Sequence, residues 1–295
     1  MATRLRLAGA MAGFCMVASA LAQEPGHAQP GSACPADRGC SVASGSYRIM
    51  LPPQTAVGRP VGAILYFHGY QGSAAETIAD DALAGVARRL GVALIAPEGL
   101  GRSWSFPGSP SRRRDEFAFV GQVLDDATRR FPVDPQRLMA SGFSQGGSMV
   151  WYLACRMPTR FAAFAPIAGA FWEPLPQACE GPRPKLIHVH GTSDTTIPLA
   201  GRMLRQGARQ GDVFRSLAVL AGGSCAAGWA DLPGQAVPGT ALTCRLASHC
   251  GGARLELCLH DGGHFADAAW VERAWRLMMT NEPASRTAGA VLTSP

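Results

Sequence analysis

Gly142-Phe143-Ser144-Gln145-Gly146 places a serine between two glycines. Apolar Leu138-Met139-Ala140 lead into it, and Met149, Val150 and Leu153 follow at helical spacing. A sharp strand-to-helix turn of this kind lifts a hydroxyl clear of the chain. The start of the helix then turns free N–H groups toward any developing negative oxygen. Ser144 is therefore expected to act as a nucleophile. A hydroxyl needs a base, and the base needs an acid to orient it. His264 follows the apolar run Leu255 to Leu259 and the loop Asp261-Gly262-Gly263. Asp194 ends His190-Gly191-Thr192-Ser193-Asp194, just after the apolar run Leu186 to Val189. The chain order serine, aspartate, histidine suits acyl transfer at a strand-end site.

Other candidates fit less well. Asp134 precedes the serine and Asp267 follows the histidine, so Asp231 is the one serious spare for the acid. His188 and His190 alternate as metal ligands could, but such residues are more often hydrogen-bonded histidines of a strand. His260 precedes the loop, and His249 lies among cysteines. Acyl transfer also requires two donors for an oxyanion. The Gln145 N–H, next after the serine, is one. The Tyr70 N–H, in Phe67-His68-Gly69-Tyr70 after the apolar run Ala63 to Phe67, is the other. Gly69 allows close approach of the backbone, and His68 is expected to brace the loop. This chemistry uses side chains and amides alone, so no metal or cofactor is expected.

The elements that would carry these groups alternate short apolar runs with helical patterns, as a sheet covered by helices on both faces requires. Tyr47 to Leu51 reads as an edge strand. Ala63 to Phe67, Val92 to Ala96, Arg137 to Ala140, Phe164 to Ile167, Leu186 to Val189 and Leu255 to Leu259 read as further strands. Asp80 to Leu90, Phe117 to Phe131, Gln145 to Met157 and Ala268 to Met279 read as helices. The fold class expected is a single α/β domain with a mostly parallel, doubly wound sheet over residues 46–280. Gly-rich residues 222–253 carry three cysteines without a clear period and read as a disulfide-held excursion. Residues 281–295 read as a flexible tail.

The 295 residues, 47% hydrophobic and 16% charged, are enough for one large core. A net charge of +6 with no basic cluster longer than Arg112-Arg113-Arg114 gives no nucleic-acid surface. Arg4 and Arg6, the apolar stretch Leu7 to Ala20 and Ala20-Leu21-Ala22 form a signal-peptide pattern, cleaved after Ala22. No later run is long enough for a membrane anchor. The chain is thus expected to be secreted or periplasmic, with residues 23–45 an extended lead-in. Removing Cys15 leaves eight cysteines, an even number that favours disulfides in an exported chain. Local pairing suggests Cys34 with Cys40 and Cys155 with Cys179, the other four tying residues 225–258 together. No C-x-x-C pair points to zinc.

From Tyr47 to Met279 the chain resembles esterases of the polyhydroxybutyrate depolymerase family, which includes feruloyl and acetylxylan esterases. The resemblance rests on several stretches in the same order. They are His68-Gly69-Tyr70-Gln71-Gly72, Pro97-Glu98-Gly99-Leu100-Gly101-Arg102-Ser103-Trp104, Val133-Asp134-Pro135-Gln136-Arg137, the Ser144 motif and His190 to Asp194. It implies an α/β-hydrolase fold and catalytic roles for Ser144, Asp194 and His264. It also implies a place for Trp104 in the acyl pocket. One departure is clear. The family's aromatic-Trp-Pro-Gly after the histidine reads here His264-Phe265-Ala266-Asp267-Ala268-Ala269-Trp270. The expected function is hydrolysis of carboxylic esters of feruloyl, acetyl or hydroxyalkanoate type, with the ester substrate as the partner. A prolyl-oligopeptidase-type peptidase is the enzymatic alternative, although the chain is short for a gating domain. A catalytically silent binding protein is the other.

Overall fold

The computed structural model describes residues 34–279, apart from 36–38, 54, 56–58, 205–206, 223–227 and 248–253. The signal segment, the start of the lead-in, the tail, Cys225 and Cys250 lie outside the described residues. A ten-stranded sheet forms the centre. Its parallel portion comprises β3 (Val61–Phe67), β4 (Ala93–Pro97), β5 (Val133–Phe143), β6 (Ala163–Ile167), β7 (Leu186–Gly191) and β12 (Leu255–His260). They stand in the order β4-β3-β5-β6-β7-β12. Crossovers on both faces explain the continuous apolar runs, because such strands have no solvated side.

Three of the helices on the sheet are capped by side chains of their own sequence. Asp80 caps α2 (Asp81–Leu90) by accepting from the Leu83 N–H, and Gly91 ends it at φ 64°, a left-handed conformation suited to glycine. Asp115 caps α3 (Glu116–Arg130) through the Phe117 and Ala118 N–H groups. Asp212 caps α5 (Val213–Ala221). On one face, α3, α5 and α4 (Gln145–Arg156) bury Val120, Leu124, Trp151, Leu153 and Leu217 against the sheet. On the other, α2 and α6 (Ala268–Met279) bury Leu83, Ala87, Val271 and Trp275 against Ile64, Leu94 and Ile187. Burial of each large apolar side chain contributes about 1.5–3 kcal/mol, which is what fixes the helices on the sheet. None of the described helices is long and apolar enough to cross a membrane.

Both sheet edges differ from the sequence expectation. The expected edge strand is β2 (Gly45–Met50), and it is not the edge. β1 (Cys40–Val42) pairs antiparallel with it and covers it. The end of the lead-in is therefore a strand, closed by the Cys34–Cys40 disulfide. The described part of the 222–253 excursion is likewise not detached. β11 (Thr243–Ala247) pairs antiparallel with β12, and β10 (Gln235–Ala236) pairs with β11. Cys244 faces Cys258 in that register and the two are bonded. The Cys155–Cys179 bridge ties the end of α4 to the segment before β7. Elements too short for a period also appear: α1 (Ala74–Ala79) and the two-residue strands β8 (Arg202–Met203) and β9 (Arg209–Gln210).

Candidate active site

Ser144 stands between β5 and α4 with φ 59° and ψ −121°. A non-glycine residue in this region is strained and persists only where the surroundings impose it. The surroundings here are backbone. A Cβ on Gly142 would lie 2.7 Å from the Phe67 carbonyl, and one on Gly146 would overlap that same carbonyl and approach the His68 carbonyl to 2.5 Å. The Ser144 N–H donates to the Ile167 carbonyl at 3.0 Å, which ties the turn to β6.

His264 and Asp194 arrive on the loops after β12 and β7. The strands are parallel neighbours, so the two loops leave the sheet side by side. They are laced together: Thr192 N–H to His260 carbonyl at 2.8 Å, Ser193 N–H to Gly262 carbonyl at 3.1 Å, and Ser193 hydroxyl to Asp261 carbonyl at 2.8 Å. The three side chains then form one line. His264 Nδ1 lies 2.6 Å from Asp194 Oδ2, and His264 Nε2 lies 2.8 Å from Ser144 Oγ. Asp194 is buried, and its Oδ1 accepts from the Thr196 and Ile197 N–H groups, each at 2.8 Å. The carboxylate cannot rotate without losing both bonds, so Oδ2 is presented to the imidazole. With Nδ1–H donating to Oδ2, Nε2 keeps its lone pair for the serine hydroxyl. The Phe143 ring packs on the imidazole at 4.7 Å between centroids.

The loop carrying Tyr70 is pressed against Ser144: a Cβ on Gly69 would sit 3.5 Å from Ser144 Cβ. The Gln145 side chain turns away to Ser103, with Nε2 3.0 Å from the hydroxyl. Among the described residues, the backbone N–H groups of Tyr70 and Gln145 meet no acceptor. His68 braces this loop, as expected. Its Nδ1–H donates to the Gly69 carbonyl at 2.8 Å, and its Nε2 accepts from the Gly99 N–H at 3.0 Å. Burial lowers the His68 pKa below the usual value, so the ring stays neutral and can accept at Nε2.

Trp104 corrects one expectation. It is fully buried and so lines no open pocket. Its indole N–H donates to the His68 carbonyl at 2.8 Å, and its ring packs on Phe67 and His68. An indole can satisfy its N–H in the interior when a carbonyl is aimed at it, and the strand-end carbonyl of His68 is so aimed. Arg102 was missed by sequence reasoning. Its carbonyl accepts from the Gln71 N–H at 2.9 Å, and its guanidinium returns to the Gln71 carbonyl. The stretch from Pro97 to Trp104 therefore clamps the loop from behind. The signal was present, since that stretch belongs to the resemblance.

Metal-type residues are otherwise employed. Cys244, Glu256 and Cys258 come within 4.8 Å of one another, but the cysteines are joined as a disulfide and cannot ligate as thiolates. His188 and His190 are fully buried and bonded to each other and to backbone carbonyls.

Residues 44–197 match the Esterase family profile, described as "Putative esterase". That range holds Ser144, Asp194 and the Gly69-Tyr70 loop. Similarity extends to "Putative esterase NocK" of Nocardia uniformis subsp. tsuyamanensis, 34% identical over 53% of this chain and 47% of that one. Feruloyl esterase B of Piromyces equi is 26% identical over 69% of this chain and 39% of that one. Poly(3-hydroxyalkanoate) depolymerase C of Paucimonas lemoignei is 28% identical over 34% of this chain and 31% of that one. In each case the match spans less than half of the relative. Among solved structures, acetyl xylan esterase from Aspergillus awamori superposes with a TM-score of 0.52 at 15% identity, over 74% of this chain and 88% of that one. That likeness concerns the fold, and it agrees with the mostly parallel sheet. With the profile covering the sheet from β2 through the aspartate loop, the chain belongs to the Esterase family.

Proposed function

We propose that the chain is a serine esterase that cleaves carboxylic esters through an acyl-enzyme, with Ser144, His264 and Asp194 as catalytic residues. The observation that carries this is the continuous line from Asp194 Oδ2 through His264 to Ser144 Oγ, at 2.6 and 2.8 Å. In the reaction, His264 Nε2 takes the hydroxyl proton as Ser144 Oγ bonds to the ester carbonyl carbon. The carbonyl oxygen becomes negative in front of the Gln145 and Tyr70 N–H groups. His264 then gives its proton to the leaving alkoxide, the C–O bond breaks, and the acyl group remains on Ser144. Water repeats the sequence and releases the acid. Asp194 stabilises the imidazolium in both halves.

The acyl group is of feruloyl, acetyl or hydroxyalkanoate type, following the names of the relatives. Exposed aromatic rings follow two residues of the site, Tyr70 beside Gly69 and Phe265 beside His264. They favour an aromatic acyl group over acetyl. The disulfides favour work outside the cytoplasm, consistent with the leader read from residues 1–22. The test is a fluorophosphonate probe followed by hydrolysis rates on methyl ferulate, p-nitrophenyl acetate and butyrate, acetylxylan and hydroxybutyrate oligomers. An adduct on Ser144 with fastest turnover of methyl ferulate is expected. No adduct on a folded protein would favour a binding protein and overturn the enzymatic reading.

A further inference from the structure

His188 and His190 project from the same face of β7, two residues apart, and both are fully buried. They form a chain of three contacts between two backbone carbonyls. The Pro166 carbonyl is 3.0 Å from His188 Nδ1. His188 Nε2 is 2.9 Å from His190 Nδ1. His190 Nε2 is 2.7 Å from the Ile197 carbonyl. A carbonyl only accepts, so each end contact requires a proton on the ring nitrogen. The central nitrogen–nitrogen contact requires one proton more. Three protons are needed, and two neutral imidazoles carry two. With only two, either a nitrogen lone pair would face a carbonyl lone pair, or the two central nitrogen lone pairs would face each other, in the dry interior, where an unmet polar group is costly.

We propose that His188 and His190 share one proton beyond those of two neutral rings, and that this buried cation is a positioning pair for Asp194. A buried charge needs a counter-charge. Asp194 Oδ2 supplies it, 3.6 Å from His190 Nε2, on the same oxygen that faces His264. The other titratable groups facing the pair are His260, at the end of β12, and His264, from the loop after it, and their charges would oppose it. Leu257 and Leu259 stand beside the pair in register on β12, and Trp151 of α4 packs against His188. Burial lowers the pKa of both rings, and a charge on His190 lowers that of His188 further, which opposes a first charge on the pair and excludes a second. Against burial stand the Asp194 carboxylate and the central nitrogen–nitrogen contact, which has a proton to share only once both end nitrogens and one central nitrogen carry one.

The consequence for catalysis rests on the serine-esterase reading. A cation beside Asp194 Oδ2 opposes the arrival of a second positive charge on His264.

The proton count is tested by long-range proton–nitrogen correlation spectra of the histidine-labelled full chain, assigned with His188→Gln. Three protonated nitrogens among the four of the pair are expected between pH 5 and 8. Two neutral rings with two protonated nitrogens would overturn the proposal. The link to the site is tested with His188→Gln, whose amide can donate to His190 Nδ1 without charge. The acid limb of kcat/KM on p-nitrophenyl acetate is expected to move up by about one pH unit, as the loss of a near charge implies. A uniform loss at every pH, with the limb in place, would reduce the pair to a packing role. Should the chain bind no fluorophosphonate and cleave no ester, the function fails, while the spectra still decide the proton count.

Discussion

Ser144 and His264, the proposed nucleophile and base, are held in place by different means. The turn around Ser144 is fixed by backbone packed on backbone, with Gly142 and Gly146 pressed on the Phe67 and His68 carbonyls. The loop around His264 has one such backbone contact, Gly191 against the Gly262 and Gly263 carbonyls, and is otherwise held by hydrogen bonds and ring contacts: the Asp194 carboxylate, the Ser193 hydroxyl, the Phe143 ring and the bonds to residues 192 and 193. Close packing gives no room to adapt, whereas hydrogen-bonded loops relax at modest cost. Changes at the turn should therefore cost the fold, and changes at the loop should cost activity.

The strongest way to break this contrast is Gly146→Ala. Its methyl has no space between two carbonyls, so the expected outcome is loss of folded protein, read by circular dichroism and thermal melting. A variant melting at the parental temperature would show that the turn yields. Ser144→Ala should instead fold normally and lose turnover by about 10⁴-fold or more, measured on p-nitrophenyl acetate. Asp194→Asn should cost about 10⁴-fold in turnover, because an amide can present the wrong hydrogen-bonding partner to His264 Nδ1. On the same side of the molecule, replacing both Cys244 and Cys258 by serine should lower stability by about 3 kcal/mol in urea unfolding, with activity kept. The smallest effect belongs to His68. Its pKa is lower in the folded than in the unfolded chain. The unfolded chain therefore binds the extra proton first, and stability should fall as pH drops below about 6.5. The decline in urea midpoint between pH 7 and 5 should be shallower in His68→Asn, and an unchanged slope would remove His68 as its source.

The parallel centre of the sheet was legible because burial on both faces writes itself as unbroken apolar runs, such as Ala63 to Phe67. Helix ends were legible where a cap was needed, as at Asp80 and Gly91, and α6 spans the expected Ala268 to Met279. Ser144, Asp194 and His264 were legible because each follows an apolar strand in one order. The edges were not. β1 and β10 have three and two residues, too few to show alternation. β11 is placed by its partner β12 and by a bond between Cys244 and Cys258, neither of which is a local property. Trp104 carried no mark of its direction, since an indole suits a pocket wall and an interior brace equally. The chain from Pro166 through His188 and His190 to Ile197 became visible only once three separate segments met.

The β10–β11 turn has a consequence for how such a chain could change its diet over generations. Gly239, Thr240 and Leu242 border the same hollow as His260, Phe265 and Trp270. The turn bears none of the three proposed catalytic groups, while the bridge at Cys244 secures the strand beneath it. Extra residues inserted there would grow beside Phe265, the next residue after His264. Innovation in substrate scope thus has an address in this molecule, separate from the address of the chemistry.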